Sequence, residues 1–112
     1  MEFDLSVEMT EGLAVLAVRG EVDMHSSPRV RDAQNKALKE SAKGVVIDLS
    51  DVGYMDSSGI ATLIEGLQWA RREGRDFRLA GLTTAVRDVF EMARLADVFE
   101  IFSTRDEALK GS

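Results

Sequence analysis

The chain has 112 residues, 45% of them hydrophobic, which suffices for one small core and for one domain spanning 1–112. Twenty acidic residues against fourteen basic ones give a formal net charge of −6, which argues against direct nucleic-acid binding and favours either plain solubility or a basic protein partner. Without cysteine there are no disulfides or thiolate metal sites, and no apolar run nears the roughly 18 residues needed to span a bilayer.

Phe3, Leu5, Val7 and Met9 alternate with polar residues, which predicts a half-buried strand. Glu11-Gly12 is a tight turn into Leu13 to Val18, a run apolar enough for a strand covered on both faces. The two strands form a hairpin, and Gly20-Glu21-Val22-Asp23 then leaves the sheet. Ser26-Ser27-Pro28 starts a helix, with a serine cap and proline at the first helical position. Val30, Ala33, Ala37 and Leu38 make its apolar stripe. Gly44 precedes the buried strand Val45 to Leu49.

From Ser57 to about Glu73 the pattern is strongly helical, with Ile60, Leu63, Ile64 and Leu67 on one face and Thr62, Glu65 and Arg72 facing water. Gly66 inside it costs about 1 kcal/mol against alanine, so a close neighbour is expected there. Trp69 covers the helix edge, and Gly74 stops the helix. Phe77 to Ala80 is a short strand. Thr83 or Thr84 caps a further helix with Val86, Val89, Phe90 and Ala93 inward. Val98 to Phe102 forms a last strand, Thr104 and Glu107 resemble a capping box, and Gly111-Ser112 is a frayed end.

Strands alternating with helices after an opening hairpin define an α/β fold. The expected sheet is mixed and mostly parallel, with an N-terminal antiparallel hairpin and helices packed mainly on one face. The first strand belongs at an edge, and the strand before Asp56 at the centre.

The most informative stretch is Asp56-Ser57-Ser58-Gly59, where that central strand meets its helix. A hydroxyl there can cap the helix, and a phosphate added there meets free N–H groups and the positive end of the helix dipole. Gly59 either lets a partner backbone approach or relieves crowding in the first turn. Tyr54 and Met55 flank the site. Either suits an exposed apolar anchor, and Met55 equally suits the core. Glu21 and Asp23, on the loop after the second strand, either border this surface or form a solvated turn.

Catalysis finds little support. His25 is the only histidine, best placed in a surface turn, and no Gly-x-Ser-x-Gly elbow accompanies Ser57. Asp48, Asp51 and Asp56 lack calcium-loop spacing, and there is no Gly-x-x-x-x-Gly-Lys-Ser/Thr loop, so no metal site, no cofactor and no built-in ATP hydrolysis are expected. Met1-Glu2-Phe3-Asp4 lacks the order of a secretory signal, and a cytoplasmic location without membrane insertion is expected.

Three segments together resemble bacterial anti-sigma factor antagonists, whose STAS domain is shared with sulfate transporters. They are Gly20-Glu21-Val22-Asp23, Val46-Ile47-Asp48-Leu49-Ser50-Asp51-Val52, and Tyr54-Met55-Asp56-Ser57-Ser58-Gly59. Val86-Arg87-Asp88-Val89-Phe90 followed by Leu95 extends the likeness to nearly the whole chain. Ile60-Ala61 replaces the family's frequent Leu-Gly.

The resemblance implies a phosphorylation-controlled partner switch. Unphosphorylated, the protein binds an anti-sigma factor that is also a serine kinase, and so releases a sigma factor. The kinase then phosphorylates it, and a metal-dependent serine phosphatase of the PP2C type reverses the mark. The position implied for the phosphate is Ser57, with Ser58 second. Glu21, Asp23, Tyr54, Met55, Asp56, Ser57, Ser58 and Gly59 form the expected partner surface. The alternative is a constitutive docking subunit of a membrane transporter or a signalling assembly.

Overall fold

A computed structural model describes residues 2–111. In chain order the elements are β1 (Asp4–Thr10), β2 (Leu13–Val22), α1 (Ser27–Glu40), β3 (Gly44–Met55), α2 (Ser57–Glu73), β4 (Asp76–Ala80), α3 (Thr84–Met92), β5 (Glu100–Phe102) and α4 (Arg105–Lys110). The strands lie in the order β1-β2-β3-β4-β5, so β1 is an edge and β3 the centre, as expected. The hairpin β1–β2 is antiparallel and the other three pairings are parallel. Glu11 and Gly12 both have positive φ (53° and 90°), the two-residue turn that matches strand twist.

Alternation along the strands sorts side chains into two layers. Ala14, Leu16, Val18, Val45, Ile47, Leu49, Phe77 and Leu79 join the buried residues of α1, α2 and α3 in one core. On the opposite face Val15, Val46 and Ala80 meet Ala108 of α4. Helices therefore pack mainly on one face, with only the last, short helix on the other.

Several local expectations give way to packing. Thr62 is buried rather than wet, because its hydroxyl donates to the Ser58 carbonyl at 3.0 Å and needs no solvent. Gln34 completes the α1 stripe although it is polar. It is fully buried, and its Nε2 donates to the Thr62 carbonyl at 2.9 Å. Gly66 explains how that fits: a Cβ there would lie 2.4 Å from Gln34 Nε2 and 2.6 Å from Phe77 Cε2.

Ser26 does not cap α1 with its side chain. Its hydroxyl donates instead to the Glu21 carbonyl and accepts from the Asp23 N–H. Of the two threonines before α3, Thr83 is the cap. Ala93 lies beyond the end of α3 and is exposed. β5 keeps only three residues, although Phe99 before it is buried against Phe77 and Phe90. Gly111 is ordered as the left-handed cap of α4, and Ser112 lies outside the described residues.

The largest departure positions the site. β2 runs on to Val22 and β3 to Met55, well past the expected ends at Val18 and Leu49. Two register shifts, between Ala17 and Arg19 and between Gly20 and Glu21, let the strands stay paired. β4 pairs with β3 only up to Asp48. Beyond it β2 and β3 continue as a two-stranded ribbon that carries both chain segments to one rim.

On the α4 face, Asp48 is tied to Arg105 (Oδ2 to Nη2, 2.8 Å) and accepts from the Ser50 N–H and hydroxyl. Burial raises its pKa, but the Ser50 and Arg105 contacts outweigh this and hold it below the ordinary aspartate value. A depressed folded pKa stabilises the fold above the unfolded value, and that contribution is lost as pH falls through the folded pKa. Urea titrations should therefore show stability declining below about pH 4, with a flatter acid limb in Asp48→Asn and in Arg105→Ala.

Candidate functional site

The ribbon ends at the rim in a fixed order. Glu21 lies opposite Tyr54 and Val22 opposite Met55, and the Asp56 N–H closes the last rung on the Val22 carbonyl at 3.1 Å. Asp23 and Asp56 thus leave the ribbon side by side, one toward α1 and the other into α2. Sequence separates them by more than thirty residues; strand pairing brings them together.

Asp56, not a serine, is the N-cap of α2. Its backbone is extended, and its Oδ1 accepts from the Ser58 N–H at 2.9 Å. The Ser58 hydroxyl donates to the same oxygen, so Ser58 is half-buried and committed to the cap. Ser57, at the first helical position, is exposed. The two hydroxyls are therefore unlike: one braces the helix start and the other faces outward. Asp56→Ala should cost about 1 kcal/mol through loss of the cap, read as a lower urea midpoint.

Asp23 organises the neighbouring turn. Its Oδ1 accepts from the His25 N–H at 2.9 Å and the Ser26 N–H at 3.0 Å. These backbone bonds, the Ser26 one foremost, hold the carboxyl below its usual pKa, so it is charged at neutral pH. His25 is exposed in this turn. Asp48, Asp51 and Asp56 do not converge: Asp48 pairs with Arg105, Asp51 is exposed on the ribbon, and Asp56 caps α2.

Two of the expected partner-facing residues are corrected. Met55 is only 2% exposed and belongs to the main core, so it is no surface anchor. Gly59 is also buried: a Cβ there would lie 2.6 Å from Met55 Cγ and 2.8 Å from Val22 Cγ1. Its bareness serves packing beneath the rim, not access from outside. Tyr54 does stand out, 49% exposed, beside Glu21. Met24 was missed. It is 70% exposed in the turn between Asp23 and His25. The available signal was a lone apolar residue in an otherwise polar turn.

The rim therefore presents one free hydroxyl at a helix start, two acidic side chains beside it, and two exposed apolar side chains flanking them. Such a surface suits docking to a protein, and a charged group added at Ser57 would change it without touching the core.

Comparison with known proteins agrees with this architecture. The family model described as the STAS domain matches residues 4–108. The anti-sigma-B factor antagonist of Listeria monocytogenes is 32% identical over 92 residues, covering 80% of this chain and 79% of that protein. A crystal structure of an anti-sigma factor antagonist from Mycobacterium paratuberculosis aligns with a TM-score of 0.89 at 28% identity, over 98% of this chain and 93% of that one. The Bacillus cell fate determinant SpoIIAA, in its phosphorylated form, has the same fold, with a TM-score of 0.74 at 21% identity over 96% and 97% of the two chains.

Proposed function

Since the chain belongs to the STAS domain family, we propose that it is an anti-sigma factor antagonist, switched off by phosphorylation of Ser57. The observation that carries this reading is the exposure of Ser57 on the first turn of α2, on the rim that also holds Glu21, Asp23, Met24 and Tyr54. A relative of the same fold, SpoIIAA, exists in a phosphorylated form, which supports a modifiable site.

In this reading the unmodified rim binds an anti-sigma factor that is itself a serine-protein kinase, in the cytoplasm, and frees a sigma factor. Tyr54 and Met24 supply apolar contact, and Glu21 and Asp23 meet basic residues of the kinase. The kinase phosphorylates Ser57 and lets go, and a PP2C-type serine phosphatase restores the hydroxyl. The role is binding rather than catalysis. Among the described residues no helix is long and apolar enough to cross a membrane.

Ser58 is the poorer acceptor because its hydroxyl proton is held by the Asp56 carboxylate and its oxygen is half-buried. Incubation with the cognate kinase and ATP, followed by phosphosite mapping, tests the assignment. Stoichiometric modification at Ser57 that disappears in Ser57→Ala supports it. Modification at Ser58 instead, or partner binding indifferent to Ser57→Ala, to Ser57→Asp and to phosphorylation of Ser57 itself, overturns it; the second outcome would indicate a constitutive docking subunit.

A further inference from the structure

The β1 edge is a large feature that the proposed switch does not use. Edge strands are ordinarily blunted by lysine, proline, a bulge or extreme shortness. β1 carries two acidic side chains, Asp4 and Glu8, but none of these four devices. It is seven residues long, contains neither lysine nor proline, and pairs with β2 in unbroken register from Asp4↔Arg19 to Thr10↔Leu13. Its apolar face is also incompletely covered. Leu5 packs against the core, but Val7 and Met9 are 50% and 49% exposed. They line a groove with Ala33, Lys36, Ala37 and Glu40 of α1.

We propose that this edge is a homodimer seam, in which β1 of a second copy pairs antiparallel with β1 about a two-fold axis through Val7. The sequence of the strand chooses that occupant and that register. Antiparallel pairing centred on Val7 sets Val7 against Val7, Leu5 against Met9, Ser6 against Glu8 and Asp4 against Thr10. Apolar residues then meet apolar ones on the helix side, and no charge faces a like charge. Moving the centre to Ser6 opposes Asp4 to Glu8, and moving it to Glu8 opposes Glu8 to its own copy; like charges directly opposite are unfavourable. Centring on Leu5 or Met9 overlaps only three residues of each strand, so the full-length register that is complementary to itself is the one centred on Val7, as a closed two-fold interface requires.

The dimer would form one continuous sheet across two protomers, with both grooves flanking the seam. Because the strands run oppositely, the two Ser57 rims would lie at opposite ends, each free to bind. The seam is therefore independent of the proposed switch. Net charge of −6 per copy opposes association, so the dimer is weak and gains from added salt.

Sedimentation of the full chain across micromolar to millimolar concentration tests this. The expected mass rises from 12.3 kDa toward twice that value. Val7→Lys, which places two ammonium groups face to face at an already exposed site, should abolish the rise with an unchanged circular dichroism melt. Ser6→Lys sets a lysine against Glu8 of each partner. It should tighten association about 2- to 30-fold, from two cross-strand pairs, while Ser6→Glu weakens it. A chain monomeric at every concentration overturns the proposal, as does a dimer insensitive to Val7→Lys or weakened by Ser6→Lys. A monomer whose capture of a partner protein falls in Val7→Lys would assign the edge to a foreign strand, and would equally overturn it.

Discussion

Phosphorylation of Ser57, or its imitation by Ser57→Asp, is expected to weaken binding to the anti-sigma factor more than a hundredfold and leave the melting temperature nearly unchanged. The two halves have separate physical origins. A phosphate adds about −1.5 to −2 charge at neutral pH. The first turn of α2 offers free N–H groups and the positive end of its dipole, so the folded state can accommodate that charge. Asp56 opposes it, being the adjacent carboxylate, but Ser57 is exposed and solvent screens the pair.

Binding is another matter. A partner lying flush on the rim would have to strip water from the phosphate and accept its bulk at the start of α2. A loss of about 3 kcal/mol is more than a hundredfold in affinity, and desolvation of one unpaired charge can supply it. Calorimetric titration of the kinase with wild type, Ser57→Ala and Ser57→Asp measures the effect. Ser57→Ala should bind as well as wild type and resist modification. If Ser57→Asp binds within a few-fold of wild type while the phosphorylated protein does not, bulk and the second charge carry the switch. If phosphorylation itself changes affinity by less than tenfold, the rim is not the contact surface.

How far the sequence foretold this rim depends on whether local or distant contacts decide each part. The hairpin turn, the first halves of β2 and β3, and α2 follow from patterns that each segment carries within itself (period two in β1, continuous apolar runs in β2 and β3, helical spacing in α2), and these parts form where expected. The ribbon beyond Asp48 does not announce itself, because Ser50, Asp51 and Gly53 interrupt the apolar run. Only the pairing of β2 with β3 across two register shifts keeps those residues in strand. Asp56, Ser57 and Ser58 can all cap a helix, and backbone conformation alone selects the aspartate, which in turn frees Ser57. Gln34 and Thr62 are polar residues whose burial rests on partners 28 residues away or on the previous helical turn. Met24 has no periodic neighbour to mark it, yet the turn built by Asp23 exposes it beside the site.

Gly59→Ala is expected to destabilise the fold by about 1–3 kcal/mol and to impair partner binding through the rim's foundation. Alanine normally improves on glycine in a helix, so a loss would have to come from crowding. The new methyl would lie 2.6 Å from Met55 Cγ and 2.8 Å from Val22 Cγ1. Val22 is stiff at χ1 and buried, and Met55 Cγ is near its backbone rather than at the flexible tip. Those two residues are also the last rung of the ribbon. Pushing them apart displaces the chain just before Asp23 and Asp56, and with it the turn and the cap that frame Ser57. The fall in Tm should be roughly 5–15 °C for a domain of this size. Combining Gly59→Ala with Met55→Ala removes the principal clash, so the two changes should be strongly non-additive in stability, and binding should recover in part. A Gly59→Ala protein that melts like wild type but no longer binds would contradict this. It would mean that the partner's backbone comes within reach of the helix at Gly59 and that the rim is more open than its packing indicates.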